Sequence, residues 1–313
     1  MLGLYISLGV ILFLIIALFI ILIVIYNITF YSPKKWQNND FRLTTRTVEY
    51  CDTDVVNGMI KRVVDIPYQD VFIKSYDGKR LHAREYIGKN SNVICIMAHG
   101  YRGTGCRDFS GGAYDMINKG FNVILIDQRA HGLSSGHTIT FGVKERKDVI
   151  SWINYGKKRF GNDKKVLLVG ISMGGATVLS ASSYLNEGDL VIADCPYSEA
   201  SEILYDSLIR LKFNPKIVYP FLYLSALLIA HFNPKKFDVN NDVNKSKAKI
   251  LIIHGDKDTL VPYTHSERVY LSNKDKVTYV IINNAEHGLA YMVDQKKYQK
   301  SVDEFLKENN LCH

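Results

Sequence analysis

Gly170-Ile171-Ser172-Met173-Gly174 sets one serine between two glycines, with Val166-Leu167-Leu168-Val169 before it and Ala176-Thr177-Val178-Leu179-Ser180-Ala181 after it. The first flank is a short continuous apolar run, the pattern of a strand buried on both faces. The second reads as the start of a helix. A serine on a tight strand–turn–helix corner projects its hydroxyl clear of the backbone, and small residues at Gly170 and Gly174 let the corner close. The helix start behind it offers free N–H groups to a developing negative charge. Five-residue matches arise by chance, so the flanks carry the argument.

A serine hydroxyl is a poor nucleophile until a base takes its proton. His287, in Asn284-Ala285-Glu286-His287-Gly288, is the candidate base. Asp258, in His254-Gly255-Asp256-Lys257-Asp258, is the candidate acid that orients it, and Asp256 is expected to form the turn. Each of the three follows a strand-like run. Parallel strands point one way, so the loops after them gather on one edge of the sheet. A further loop, Ala98-His99-Gly100-Tyr101, follows another such run. Two backbone N–H groups, those of Tyr101 and Met173, are the candidates to receive an oxyanion. His99, His131 and His254 are expected to be structural.

The remaining strands read outward from this centre. Val71 to Lys74 and Leu81 to Tyr86 flank Asp77-Gly78, a hairpin turn signal. Continuous apolar runs follow at Val93–Met97, Val123–Ile126, Val166–Val169, Val191–Ala193, Ile250–Ile253 and Val277–Ile281, spaced for crossover helices. Between Asp194-Cys195-Pro196 and Ile250 lie roughly fifty residues, about twice what one crossover needs. Within them Ile217 to Phe232 has no Lys, Arg, Asp or Glu and contains Pro220. About 16 helical residues reach only about 24 Å, short of a hydrocarbon core of about 30 Å. We therefore expect a lid over residues 198–247, with Phe221 and Leu224 lining an acyl pocket above Ser172.

Leu2 to Tyr26 has no charged residue. As a helix it reaches about 37 Å, enough to span a bilayer. It lacks the basic start and small-residue cleavage site of a signal peptide, so an uncleaved anchor is expected. Lys34, Lys35, Arg42 and Arg46 follow it, which by the positive-inside rule favours a cytoplasmic over an extracellular domain on a single-pass cell-membrane protein. The expected division is a transmembrane anchor at 2–26, a juxtamembrane linker at 27–67 with one short helix, and a catalytic domain at 68–313.

The chain has 313 residues, 47% of them hydrophobic, which is enough to bury a full core. Its net charge of +8 comes from lysines scattered among acids. That reads as a solvated surface first, with attraction to anionic lipid headgroups second, and not as a nucleic-acid face. Five cysteines in no metal-like spacing suit a reducing compartment. No metal or cofactor is implied.

His99-Gly100-Tyr101, Asp127-Gln128-Arg129-Ala130-His131-Gly132-Leu133-Ser134, Gly170 to Gly175, Asp194-Cys195-Pro196-Tyr197 and His254 to Asp258 occur in one order. From about Val71 onward the chain resembles the α/β-hydrolase superfamily, and looks most like membrane-anchored bacterial serine aminopeptidase-like or lysophospholipase-like hydrolases. The family usually carries glycine where Ala130 stands. The resemblance implies an α/β-hydrolase fold, a mostly parallel sheet flanked by helices with a lid insertion, and a Ser172, Asp258, His287 triad. It implies no substrate, because this fold hosts many chemistries. The expected activity is hydrolysis of a small-molecule carboxylic ester, lipid-like in view of the anchor and the apolar insertion. The rivals are an aminopeptidase or amide hydrolase, with Glu199 or Glu202 holding a peptide substrate's amine, and a non-catalytic binding protein.

Overall fold

The computed structural model describes residues 2–33, 39–89 and 91–312. Lys34 and Lys35, half of the basic cluster behind the first helix, lie outside them. The described strands are β1 (Gln69–Lys74), β2 (Arg80–Tyr86), β3 (Val93–Ala98), β4 (Asn122–Asp127), β5 (Lys165–Ile171), β6 (Leu190–Asp194), β7 (Lys249–Gly255) and β8 (Val277–Ile282). They form one sheet in the order β1-β2-β4-β3-β5-β6-β7-β8. β1–β2 and β2–β4 pair antiparallel, and every other pair is parallel. This is the α/β-hydrolase fold. Each continuous apolar run is a strand, and the Asp77-Gly78 turn closes the hairpin with Gly78 at φ 80°. Linear pattern did not reveal that β4 would slot between β2 and β3.

The helices are α1 (Leu2–Thr29), α2 (Thr45–Tyr50), α3 (Thr53–Val64), α4 (Gly105–Asp108), α5 (Gly112–Asn118), α6 (Glu145–Phe160), α7 (Met173–Ala181), α8 (Ala200–Arg210), α9 (Pro215–Leu228), α10 (Val239–Lys245), α11 (Thr264–Ser272), α12 (Ala290–Val293) and α13 (Gln295–Glu308). Side chains alternate across a strand, so β3 sends Ile94 and Ile96 to one core and Cys95 and Met97 to the other. The first core includes Trp152 of α6 and Val178 of α7. The second includes Val63 of α3, Met116 of α5 and Phe305 of α13.

The stretch after Tyr26 is more ordered than a linker. Helix α1 continues to Thr29, and Phe30 is fully buried against the rings of Phe141 and Phe232. Ser32 donates to the His137 carbonyl and Ile139 to that of Phe30, each at 2.8 Å, so the chain leaving α1 is stitched to the domain. Two helices, α2 and α3, follow where one short helix was expected. Asp52 caps α3 by accepting from the amides of Asp54 and Val55. The apolar face of α3, with Val56, Met59, Ile60 and Val63, is buried. A segment that looks polar on average can still bury one helical face.

Candidate active site

β5 runs directly into Ser172, which sits at φ 55°, ψ −120° immediately before α7. That conformation is costly for a non-glycine residue and persists because its surroundings impose it. A Cβ on Gly170 would run into the Gly174 carbonyl, and one on Gly174 into that of Ala98. The corner therefore closes only with glycine at both places. Ser172 N–H donates to the Asp194 carbonyl at 2.8 Å, tying the corner to the end of β6.

Three side chains distant in sequence meet here. His287 follows β8 and lies with Nε2 2.8 Å from Ser172 Oγ and Nδ1 2.6 Å from Asp258 Oδ2. An ionised carboxylate only accepts, so Nδ1 carries the proton and Nε2 is left to accept from the serine hydroxyl. Asp258 Oδ1 accepts from the amides of Leu260 and Val261 at 2.9 and 2.8 Å, and Oδ2 also meets His254 Nε2 at 3.1 Å. Burial alone would raise this carboxyl, but His287 and His254 hold it well below the usual carboxylate range. Asp256 instead accepts from Asn284 N–H at 2.6 Å and pins the two loops together.

The loop after β3 faces the same corner. A Cβ on Gly100 would lie 3.4 Å from that of Ser172. Tyr101 follows at once and lines one cavity with Ser172, and Met173 opens α7 directly after the serine. The glycine-rich stretch after β4 braces this loop. Gln128 N–H donates to His99 Nε2 at 3.1 Å, and Arg102 N–H donates to His131 Nε2 at 3.0 Å. Burial, helped by His99, lowers His131 to about 3, so it stays a neutral acceptor. Arg129 makes two 2.6 Å bonds to Asp148. Ala130, at φ 65°, occupies a left-handed position that favours glycine.

A cavity of about 220 Å³ opens on Ser172 and His287. Its outer wall comes from Leu43, Thr44, Arg46 and Thr47 around the start of α2, and from Val56 of α3. Arg46 is ion-paired at 3.3 Å to Glu286, next to His287. Sequence reasoning missed this wall, because nothing in a mixed polar stretch announces which tertiary surface it will cover. It also missed Asp194, whose carboxyl lines the cavity and is raised by burial to about 6, with Tyr298 beside it.

The 198–247 insertion requires a correction. None of its residues lines this cavity, so Phe221 and Leu224 do not lie over Ser172. Helix α9 packs instead on α1, where Ser225 Oγ donates to the Leu22 carbonyl at 2.8 Å. The apolar face of α9 meets another apolar helix instead of a ligand space. Glu199 and Glu202 also lie away from the cavity, and Glu202 is held by Arg268 at 2.7 and 2.6 Å. Glu202, Asp206 and His265 form a cluster of ligand-like groups, but the Arg268 guanidinium already meets its charge. Cys195 stands beside Asp258 and His287, and burial pushes its thiol well above the ordinary range.

Comparison with known proteins agrees with this architecture. The serine aminopeptidase S33 family model matches residues 89–212. The protein YqkD of Bacillus subtilis is 28% identical over 241 residues, covering 75% of this chain and 77% of its own. The lysophosphatidylserine lipase ABHD12 of Danio rerio is 23% identical over 187 residues, 58% of this chain and 47% of its own. Among solved structures, the Pyrococcus furiosus esterase Pf2001 superposes with a TM-score of 0.64 at 26% identity, covering 79% of this chain and 93% of that one. The chain is a hydrolase of the α/β-hydrolase fold.

Proposed function

We propose that the protein is a membrane-tethered serine hydrolase that cleaves carboxylic esters through an acyl-enzyme. The observation that carries this reading is the hydrogen-bonded line from Asp258 through His287 to Ser172. As the serine oxygen attacks the ester carbonyl, His287 Nε2 takes its proton, and Asp258 stays ionised to balance the imidazolium. The new oxyanion is received by the amides of Tyr101 and Met173, the second at the positive end of α7. His287 then returns the proton to the leaving alcohol. In a second round it activates the water that frees the acid.

Ester hydrolysis is preferred to aminopeptidase action because a free amine would need a waiting carboxylate. Glu202 is engaged by Arg268, Asp108 in the cavity is paired with Arg107 at 2.8 Å, and Asp194 is a buried carboxyl that desolvation disfavours in its charged form and that Tyr298 already meets. An intact Asp–His–Ser line also speaks against a binding protein without catalysis. The esterase Pf2001 shares the fold at 26% identity. For the tether, α1 is 28 residues long and exposed over most of Leu2 to Ile21, and it is long and apolar enough to cross a bilayer. Arg42 and Arg46 behind it favour a cytoplasmic domain. Labelling with a fluorophosphonate tests the chemistry: a mass increase on Ser172, absent in Ser172→Ala, is expected, and no labelling sinks the reading. Protease added to intact cells tests the side, since digestion of the domain would place it outside.

A further inference from the structure

A second cavity, of about 330 Å³, lies between α5 and α13 on the α3 side of the sheet. Met97, Val169 and Ile192, on β3, β5 and β6, form its floor, and Met116 and Val302 its flanks. All five are at most 7% exposed. Phe109, Gly112, Tyr291 and Tyr298 wall both this cavity and the one holding Ser172, so the two spaces meet at a shared partition. Gly112 is its thin place. A Cβ there would find nothing nearer than the Phe109 ring at 3.8 Å and Met97 at 3.9 Å. At the far rim the Lys119 ammonium donates to Asp303 at 2.6 Å, tying α5 to α13. The floor and flanks are apolar, as a hydrocarbon chain needs, while Asp115, Tyr291 and Gln299, hydrogen-bonded to one another, form a polar edge along one side.

We propose that this cavity receives the acyl chain of the ester held at Ser172, so that the preferred substrate is an ester of an unbranched fatty acid. The inference rests on Ser172 being the group acylated. The chain would pass beside Gly112 from the first cavity to the second. Each methylene buried along that path should raise kcat/KM about fourfold until the cavity is filled, whereas an acetyl group does not reach it.

A dodecyl fluorophosphonate with a diazirine at the end of its chain tests this on the full-length protein in lipid nanodiscs. After irradiation, the expected result is modified Ser172 with cross-links in α5 and α13, on the peptides holding Met116, Lys119 and Val302. Modified Ser172 with cross-links confined to the 198–247 insertion, α1 or lipid overturns the acyl site and leaves the hydrolase reading standing. Unmodified Ser172 removes both. Independently, Met116→Trp and Val302→Trp fill the cavity. Each should lower the ratio of kcat/KM for dodecanoate over acetate esters at least tenfold, and Val302→Ala should not lower it. A ratio unchanged within twofold in a folded tryptophan variant overturns the proposal.

Discussion

The phenol of Tyr101 donates a 2.8 Å hydrogen bond to the carbonyl of Thr29, joining the loop beside Ser172 to the last turn of α1. Arg102 adds bonds to the carbonyls of Ile28 and Tyr31 at 3.0 and 2.9 Å. A helix end leaves carbonyls without intrahelical partners, and here the loop after β3 supplies them. Helix α1 therefore buttresses the candidate oxyanion loop. Tyr101→Phe should lower kcat by roughly tenfold at most, since losing an oxyanion donor outright costs about 10²–10³ and this change only loosens the loop. Steady-state kinetics checks it, and a change confined to KM would contradict the role.

Ser172→Ala and His287→Ala should each reduce ester turnover by roughly 10⁴ or more, and Asp258→Asn by a similar factor. The double change of Ser172 and His287 should be scarcely worse than either alone, because the groups act as a unit. Asp256→Asn should cost little turnover. A crippled Asp256→Asn beside a mild Asp258→Asn would move the orienting role to Asp256.

Deleting residues 2–19 should release a folded, active enzyme from the membrane fraction, because the segment from Leu22 to Ser32 that packs on the domain is kept. Deletion through Tyr31 should not, since it removes Phe30 and the carbonyls that Tyr101 and Arg102 use. In the full chain, Phe30→Ala should destabilise by about 3–5 kcal/mol, the usual cost of emptying a buried aromatic site. Thermal unfolding distinguishes these cases.

Changing Phe221 and Leu224 together to alanine should leave the preference among acyl chain lengths unaltered, because neither residue lines the cavity at Ser172. The ratio of dodecanoate to acetate hydrolysis measures this. A flattened ratio would return the insertion to the role of a lid.

Asp194 should contribute a loss of stability as pH rises from about 4 to 6. Burial raises its folded pKa to about 6, above an unfolded value of about 3.9. The unfolded chain therefore ionises first, and the stability lost on the way up is complete above the folded pKa. Asp194→Asn should remove this contribution, gaining roughly 2–3 kcal/mol at pH 8 and about half of that at pH 5. Denaturant titrations at the two pH values decide it, and an equal gain at both would contradict the assignment.

Much of this molecule was legible from residue order. Continuous apolar runs mark the buried strands because burial on both faces demands it, and a serine between glycines at a strand–helix corner is the arrangement an exposed nucleophile requires. Asp258, the candidate acid, meets His287, whereas Asp256 meets the Asn284 amide. The roles of 27–67 and 198–247 were not legible, and they were exchanged. Phe221 and Leu224 are as apolar as any acyl-site residue, yet α9 turns to α1. Leu43, Arg46 and Val56 come from a stretch of no distinctive character, yet they wall the cavity.

Local pattern was sufficient for the strands, the strained corner and the candidate nucleophile, base and acid, because these depend on near neighbours and on strand direction. Which segment covers the corner, how Phe30 enters the core and where an apolar cavity opens beside Gly112 were decided by packing. Apolar surface is non-directional and accepts any complementary partner. The partner is chosen only when helices far apart in the chain are brought face to face.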